Sequence, residues 1–270
     1  MLSGVTKNYC IDNGSEPLTV FDGIDMNVAR GQFFSIVGPS GCGKTTLLKI
    51  IAGLDVASGG SVILEGENIN KRDPRVGLVF QEFALFPWRT ALGNIEMGLE
   101  LQGVPKDQRH VRAMQFISAF GLQGFENHYP HELCGGMKQR VAIARTLITN
   151  PEVVLMDEPF GALDSQTRNA MQEFFLDVWK QRKDTVLFVT HNVDEAVFLS
   201  DRIAVLTPRP SRILQIFDID LPRPRDRTSP QANHFRRAII DLLNSKPFHS
   251  PDSNRRSPDT VKTKGASLSF

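Results

Sequence analysis

Three cysteines are all that the 270 residues contain, and Cys10, Cys42 and Cys134 stand far apart, in neither a metal-ligand spacing nor an even disulfide set. A cysteine-stapled scaffold is excluded, and a reducing cytosol fits this usage best. Long apolar runs are also missing. No stretch approaches the roughly 18 residues of a membrane span, and the start has no basic segment followed by an apolar one. Any work at a membrane is therefore expected to depend on a partner that carries the chain there. Excess charge is the third absence: 31 Lys and Arg face 30 Asp and Glu, a formal charge of +1. No global field points toward nucleic acid or anionic lipid, so a charged ligand must be met locally. No internal repeat is evident.

What is present is enough hydrophobic material, 41% of residues, to bury a full core, in one large domain or one domain with a subdomain. Residues 5 to 30 alternate apolar and polar positions around the turn formers "DNGSEP" and predict a small antiparallel sheet. Buried strands are predicted at "FFSIV" (33–37), "VVLMD" (153–157), "TVLFVT" (185–190) and "IAVLT" (203–207). Between the second and third lies the helix "TRNAMQEFFLDVWKQR", with Met171, Phe174, Phe175 and Val178 on one face. From about Phe86 to Asn150 the pattern is helical. There Val111, Met114, Ile117 and Phe120 recur before Gly121 ends the helix, as expected of an inserted helical subdomain. Strands alternating with helices predict a parallel α/β sheet covered on both faces. After about Ser245 the chain is rich in Ser, Pro and charge, and residues 246–270 are expected to be a disordered tail.

Between the strand "FFSIV" and the helix "LLKIIAGL", the residues Gly38, Pro39, Ser40, Gly41, Cys42, Gly43, Lys44 and Thr45 fit G-x-x-x-x-G-K-[ST], with Thr46 following. Strand, loop and helix are the context that makes this phosphate-binding pattern meaningful. Glycines let backbone N–H groups and the helix N-terminus face phosphates. Lys44 is expected to neutralise β and γ oxygens, and Thr45 to offer its hydroxyl to Mg²⁺. Cys42 occupies an unconstrained position of the loop and is given no chemistry.

The strand "VVLMDEP" brings Asp157 and Glu158 to the carboxyl edge of the sheet, where nucleotides bind in α/β folds. Asp157 suits Mg²⁺, directly or through water, and Glu158 suits the general base for a water attacking the γ-phosphate. His191 ends another strand at the same edge, which favours a γ-phosphate contact over an isolated structural imidazole.

These motifs together resemble the ATP-binding subunits of ABC transporters over about residues 1–245: "GPSGCGKT", Gln81 in "VFQEFALFPW", "LCGGMKQR", "VVLMDEP", "GALD" with Asp164, and His191 in "VTHNVDEA", in family order. The resemblance implies a P-loop NTPase (RecA-like) α/β core, an N-terminal antiparallel β subdomain and an α-helical signature subdomain inserted at about 86–150. It also implies that two such subunits close over two ATP molecules, with membrane permease subunits and, indirectly, a solute-binding protein as partners. Gly135 and Gly136 would then donate N–H groups to the γ-phosphate of ATP bound to the other subunit. Gln81 would contact Mg²⁺ and the attacking water, Asp164 would communicate across the dimer, and His191 would hold the γ-phosphate. Tyr9, in "VTKNYC", matches the aromatic on which adenine stacks, though a single N-terminal aromatic equally suits a core.

Cys134 stands where this family normally has Ser. A thiol is a larger and weaker donor than a hydroxyl, and hydrogen bonds to charged groups are worth about 1.5–3 kcal/mol, so the closed state should assemble less readily. A helix N-terminus can also lower a thiol's pKa, which leaves redox control as a second reading. Phe83, Leu85, Phe86 and Trp88 either pack into the helical subdomain, or form a groove for a helix of the membrane subunit, or both. "LFPWRTALGNI", "LTPRPSRI" and "DLPRPRDR" resemble importers of nitrate, sulfonates and taurine, with Ser211 where Gly usually follows "PRP". The expected function is a peripheral ATPase on the cytoplasmic face of the membrane that drives import of a small anionic solute. The alternatives are a soluble ABC ATPase without transport, which usually carries a coiled-coil insertion or a second ATPase unit absent here, and a weakly hydrolysing regulatory module.

Overall fold

A computed structural model describes residues 1–10 and 17–245. The tail expected at 246–270, and most of the turn expected at "DNGSEP", lie outside the described residues.

The central strands are mostly apolar and buried along almost their whole length, so side chains alternating along them must be covered on both faces. In β3 (Phe33–Val37), Phe33 enters the core on one face, while Phe34 and Ile36 enter the core on the other. The same split recurs in β7 (Val153–Asp157), with Val154 and Met156 opposite Leu155, and in β8 (Thr185–Thr190), with Val186 and Phe188 opposite Leu187 and Val189. With β6 (Val76–Val79), β9 (Arg202–Leu206) and β10 (Ile213–Asp218) they form a six-stranded sheet of order β10-β9-β3-β8-β7-β6. Five strands run parallel. β10 is antiparallel to β9 at one edge, a strand that the alternation of helices and strands does not announce. It follows β9 through a hairpin, the connection that antiparallel neighbours permit.

One face carries α1 (Lys44–Ile51) and a four-stranded antiparallel sheet of order β2-β1-β4-β5, made of β1 (Leu2–Tyr9), β2 (Leu18–Met26), β4 (Gly59–Leu64) and β5 (Glu67–Asn68). The other face carries α2 (Ala91–Leu101), α3 (Lys106–Ala119), α4 (Gly135–Leu147) and α5 (Ser165–Arg182). There Phe33 meets Phe175, Trp179 and Phe188 at ring-centroid distances of 5.6–6.0 Å, two of the pairs edge-on. Each such buried aromatic contributes about 1.5–3 kcal/mol through the area it removes from water. A third cluster joins α6 (Val193–Leu199) and α7 (Pro230–Asn244) to β9.

The helical stretch from 86 to 150 contains α2, α3 and α4 as expected, but the apolar stripe predicted on α3 is only half right. Val111 is 58% exposed and Met114 is also exposed, whereas Ala113 and Ile117 are buried and Phe116 is partly so. A strict step of three drifts by about 60° each time around a 3.6-residue helix, and the face that packs is 113, 116, 117 and 120, the i, i+3, i+4, i+7 pattern. Gly121 follows with φ +61, as expected of a left-handed helix stop.

Candidate functional site

Strands β3, β8 and β7 are neighbours, so whatever follows their carboxyl ends converges on one edge. After β3 comes the loop Gly38 to Gly43. Gly43 caps α1 in the left-handed region at φ +104, and a Cβ there would stand 2.5 Å from Val20 Cγ1 and 2.6 Å from Phe21 Cε1. Only glycine fits both the angle and the space. Pro39 is half-buried, Ser40 and Gly41 are exposed, and Lys44 is buried with Nζ donating to the carbonyls of Gly38 (2.9 Å) and Pro39 (3.1 Å). Cys42 is buried in the core beneath the loop, and burial pushes its thiol above the ordinary value, in keeping with a packing role.

Thr45 donates its hydroxyl to Asp157 Oδ1 at 3.1 Å across the β3–β7 gap. Burial raises the Asp157 carboxyl above its ordinary value, the neighbouring Glu158 adds to the rise, and the Thr45 bond and Lys44 oppose it. Glu158, in the left-handed region at φ +43, is hydrogen-bonded to His191 at 2.8 Å between Oε2 and Nδ1. A non-glycine residue held there is strained, and such strain collects at sites the surrounding structure over-determines. The Glu158 and His191 side chains also line a small cavity with Arg168 and Glu195.

Gln81 lies two residues past β6, exposed, and makes no side-chain hydrogen bond among the described residues. Cys134 is the exposed N-cap of α4 and its side chain accepts no capping bond. Gly135 and Gly136 form the first turn of that helix, where N–H groups lack intrahelical partners. A Cβ on Gly136 would lie 3.0 Å from Thr167 Cγ2 of α5. The structure thus seats the signature glycines beside α5, and α4 packs on α2, β6 and α5, whereas α1 packs on β7 and β8. Asp164 caps α5, accepting from the N–H groups of Gln166 (3.1 Å) and Thr167 (3.0 Å), a local duty that motif order alone does not reveal. Tyr9 ends β1, 40% exposed, with its hydroxyl donating to Asp55 Oδ2 at 2.8 Å.

Two residues make contacts that the sequence does not announce. Ser211, fully buried in the β9–β10 hairpin, donates its hydroxyl to the Cys42 carbonyl inside the phosphate loop, and its N–H reaches Val20 O at 2.8 Å. The two residues are 169 positions apart, so no local pattern could pair them. Asp55, on the turn after α1, ties Tyr9 and Lys7 to that helix.

Against known proteins, the ABC transporter family profile matches residues 21–161. An uncharacterised ABC transporter ATP-binding protein of Methanocaldococcus jannaschii is 53% identical over 238 residues, 88% of this chain and 89% of that protein. The aliphatic sulfonates import ATP-binding protein SsuB of Bacillus subtilis is 46% identical over 222 residues, 82% of this chain and 86% of that protein. Among solved structures, the dimeric structure of MJ0796, described as a bacterial ABC transporter cassette, superposes with a TM-score of 0.71 at 35% identity, covering 82% of this chain and 99% of that one. The same cassette in a dimeric post-hydrolysis state bound to ADP and Pi gives a TM-score of 0.71 at 34% identity, with the same coverage. With a phosphate loop, an acidic strand end and a histidine on one sheet edge, the chain belongs to the ABC transporter family, as an ATP-binding, ATP-hydrolysing subunit on an α/β P-loop fold.

Proposed function

We propose that this ATPase works as a dimer with separate permease subunits on the cytoplasmic face of a membrane, and through them with a solute-binding protein, to import a small anionic solute of the nitrate, sulfonate or taurine class. No helix among the described residues is long and apolar enough to cross a membrane. Similar chains of several Bacillus species are named as aliphatic sulfonate import subunits at 42–46% identity, and the similar solved cassette is described as dimeric.

The observation that carries the mechanism is that the P-loop helix, Asp157, Glu158 and His191 share one edge through two side-chain contacts, Thr45 to Asp157 and Glu158 to His191. In this reading Lys44 turns from the loop carbonyls it now holds to the β and γ oxygens of ATP. Thr45, which already reaches Asp157 Oδ1 at 3.1 Å, Asp157 and Gln81 would be the oxygen donors for Mg²⁺, a hard ion that prefers oxygen and keeps waters and substrate phosphate in the rest of its shell. When bound, Mg²⁺ would neutralise phosphate charge. Glu158 takes the proton of the attacking water, and His191 holds that carboxylate on one side and the γ-phosphate on the other. Gly135 and Gly136, with Cys134, complete the site of a second copy from the N-terminus of α4. Asp164, flanked by the Leu163 and Thr167 side chains that face these glycines, relays closure between the copies. Hydrolysis thereby becomes conditional on closure, which can move a membrane partner.

Replacing Glu158 with Gln should abolish turnover and trap an ATP-bound dimer, read by phosphate release and by size-exclusion chromatography with ATP. Undiminished hydrolysis would sink the assignment. A deletion strain should lose growth on one of taurine, alkanesulfonate or nitrate as sole sulfur or nitrogen source. Growth unchanged on all three would remove this solute class.

A further inference from the structure

Lys7 and Tyr9 sit two apart on β1, so both side chains leave the same face of the strand. Lys7 is only 7% exposed, and its Nζ lies 4.5 Å from the centroid of the Tyr9 ring. The same ammonium donates to Asp55 Oδ1 at 2.6 Å and to the Val56 carbonyl at 2.8 Å. Asp55 accepts the Tyr9 hydroxyl on its other oxygen at 2.8 Å and the Val56 N–H on the first at 2.7 Å. Its own N–H bonds to Lys49 O of α1, the helix that grows out of the phosphate loop. No other aromatic ring among the described residues stacks on Tyr9, and the ring remains 40% exposed.

The ammonium is buried while its carboxylate partner is about a quarter exposed, and such a pair adds little net stability compared with apolar residues of the same shape. Its geometry does something narrower. The cation covers one face of the ring and the carboxylate anchors its hydroxyl, so the exposed part of the side chain is tied through Asp55 to the P-loop helix. We propose that Lys7 and Asp55 form a bracket that makes Tyr9 a rigid, one-sided stacking platform, so that this pair sets the base's share of nucleotide affinity and leaves the triphosphate's share untouched. The inference rests on the reading of Tyr9 as the stacking residue, and it adds positioning residues to that reading. The cation draws on the ring's π density from behind, and a ring already immobilised loses less entropy when a purine settles on it.

Equilibrium binding of ATP and of inorganic tripolyphosphate, measured by calorimetry in EDTA so that no turnover occurs, separates the base from the phosphates. In Lys7→Met, ATP affinity should fall by about three- to tenfold while tripolyphosphate affinity stays as in the parent. Tyr9→Phe, which keeps the ring and loses only the bond to Asp55, should lower ATP affinity by about two- to fivefold, again with no change for tripolyphosphate. Equal losses for both ligands in Lys7→Met, or unchanged ATP affinity in both variants, would overturn the bracket. Tyr9→Ala tests the underlying reading by itself. A parental ratio of ATP to tripolyphosphate affinity in Tyr9→Ala removes the stacking role and the bracket with it, whereas a reduced ratio there beside a parental one in Lys7→Met removes the bracket alone.

Discussion

Ser211 gives the Cys42 carbonyl a buried hydrogen-bond donor that glycine, the usual residue after "PRP", could not supply. With that carbonyl held toward the hairpin, the phosphate loop is braced from behind. Ser211→Ala leaves the carbonyl without its partner, and the expected loss is about 1–3 kcal/mol of stability, measured as a lower urea midpoint at unchanged slope. An unchanged midpoint would mean that the bond has no weight. Cys134 is the second residue-scale departure. It is exposed at the cap of α4 and makes no capping bond, so Cys134→Ser should raise ATP turnover by restoring a better donor. If redox control is the reason for the thiol, the same variant should instead lose sensitivity to peroxide.

At the scale of elements, α5 depends on Asp164 for its first turn. The Thr167 side chain and the N–H groups of Thr167 and Gln166 hold the Asp164 carboxyl below the ordinary carboxylate value of 3.8. A depressed folded value means that the unfolded chain binds more protons, so the cap's contribution is present above that ordinary value and disappears as pH falls through the folded one. Asp164→Ala should lower the melting temperature at pH 7. Asp164→Asn, which keeps a capping oxygen, should fall between it and the parent, and the gap from parent to Asn should close on acidification. A gap that persists from pH 7 to pH 3 would contradict this. The first turn of α4 is similarly constrained, since a Cβ on Gly136 would crowd Thr167. Gly136 therefore serves packing against α5 as well as its place in the first turn.

For the whole molecule, the phosphate loop and the signature turn belong to helices that pack on different parts of one chain. If each site is completed by a second copy, ATPase activity per subunit should rise with protein concentration across the dimer's dissociation constant. A constant specific activity at dilutions where sedimentation shows only monomer would refute the composite site. The same scale separates the site's two bonding networks, one across the edge of the parallel sheet through Thr45, Asp157, Glu158 and His191, the other linking the antiparallel sheet to α1 through Lys7, Tyr9 and Asp55.

The amino-acid sequence by itself determined four strands of the six-stranded sheet, because buried runs of that length, three of them ending in a glycine loop, an acidic pair or a histidine, admit few other readings; β6 and β10 it left unannounced. It placed the phosphate loop, Asp157 and Glu158 at strand ends for the same reason: their spacing along the chain is local. What only the tertiary structure decided is whatever joins distant segments. The antiparallel place of β10, the true packing face of α3, the brace from Ser211 to Cys42 and the bracket of Lys7 and Asp55 around Tyr9 each depend on partners brought together by burial of apolar surface, which is non-directional and leaves no periodic mark at either end of the contact.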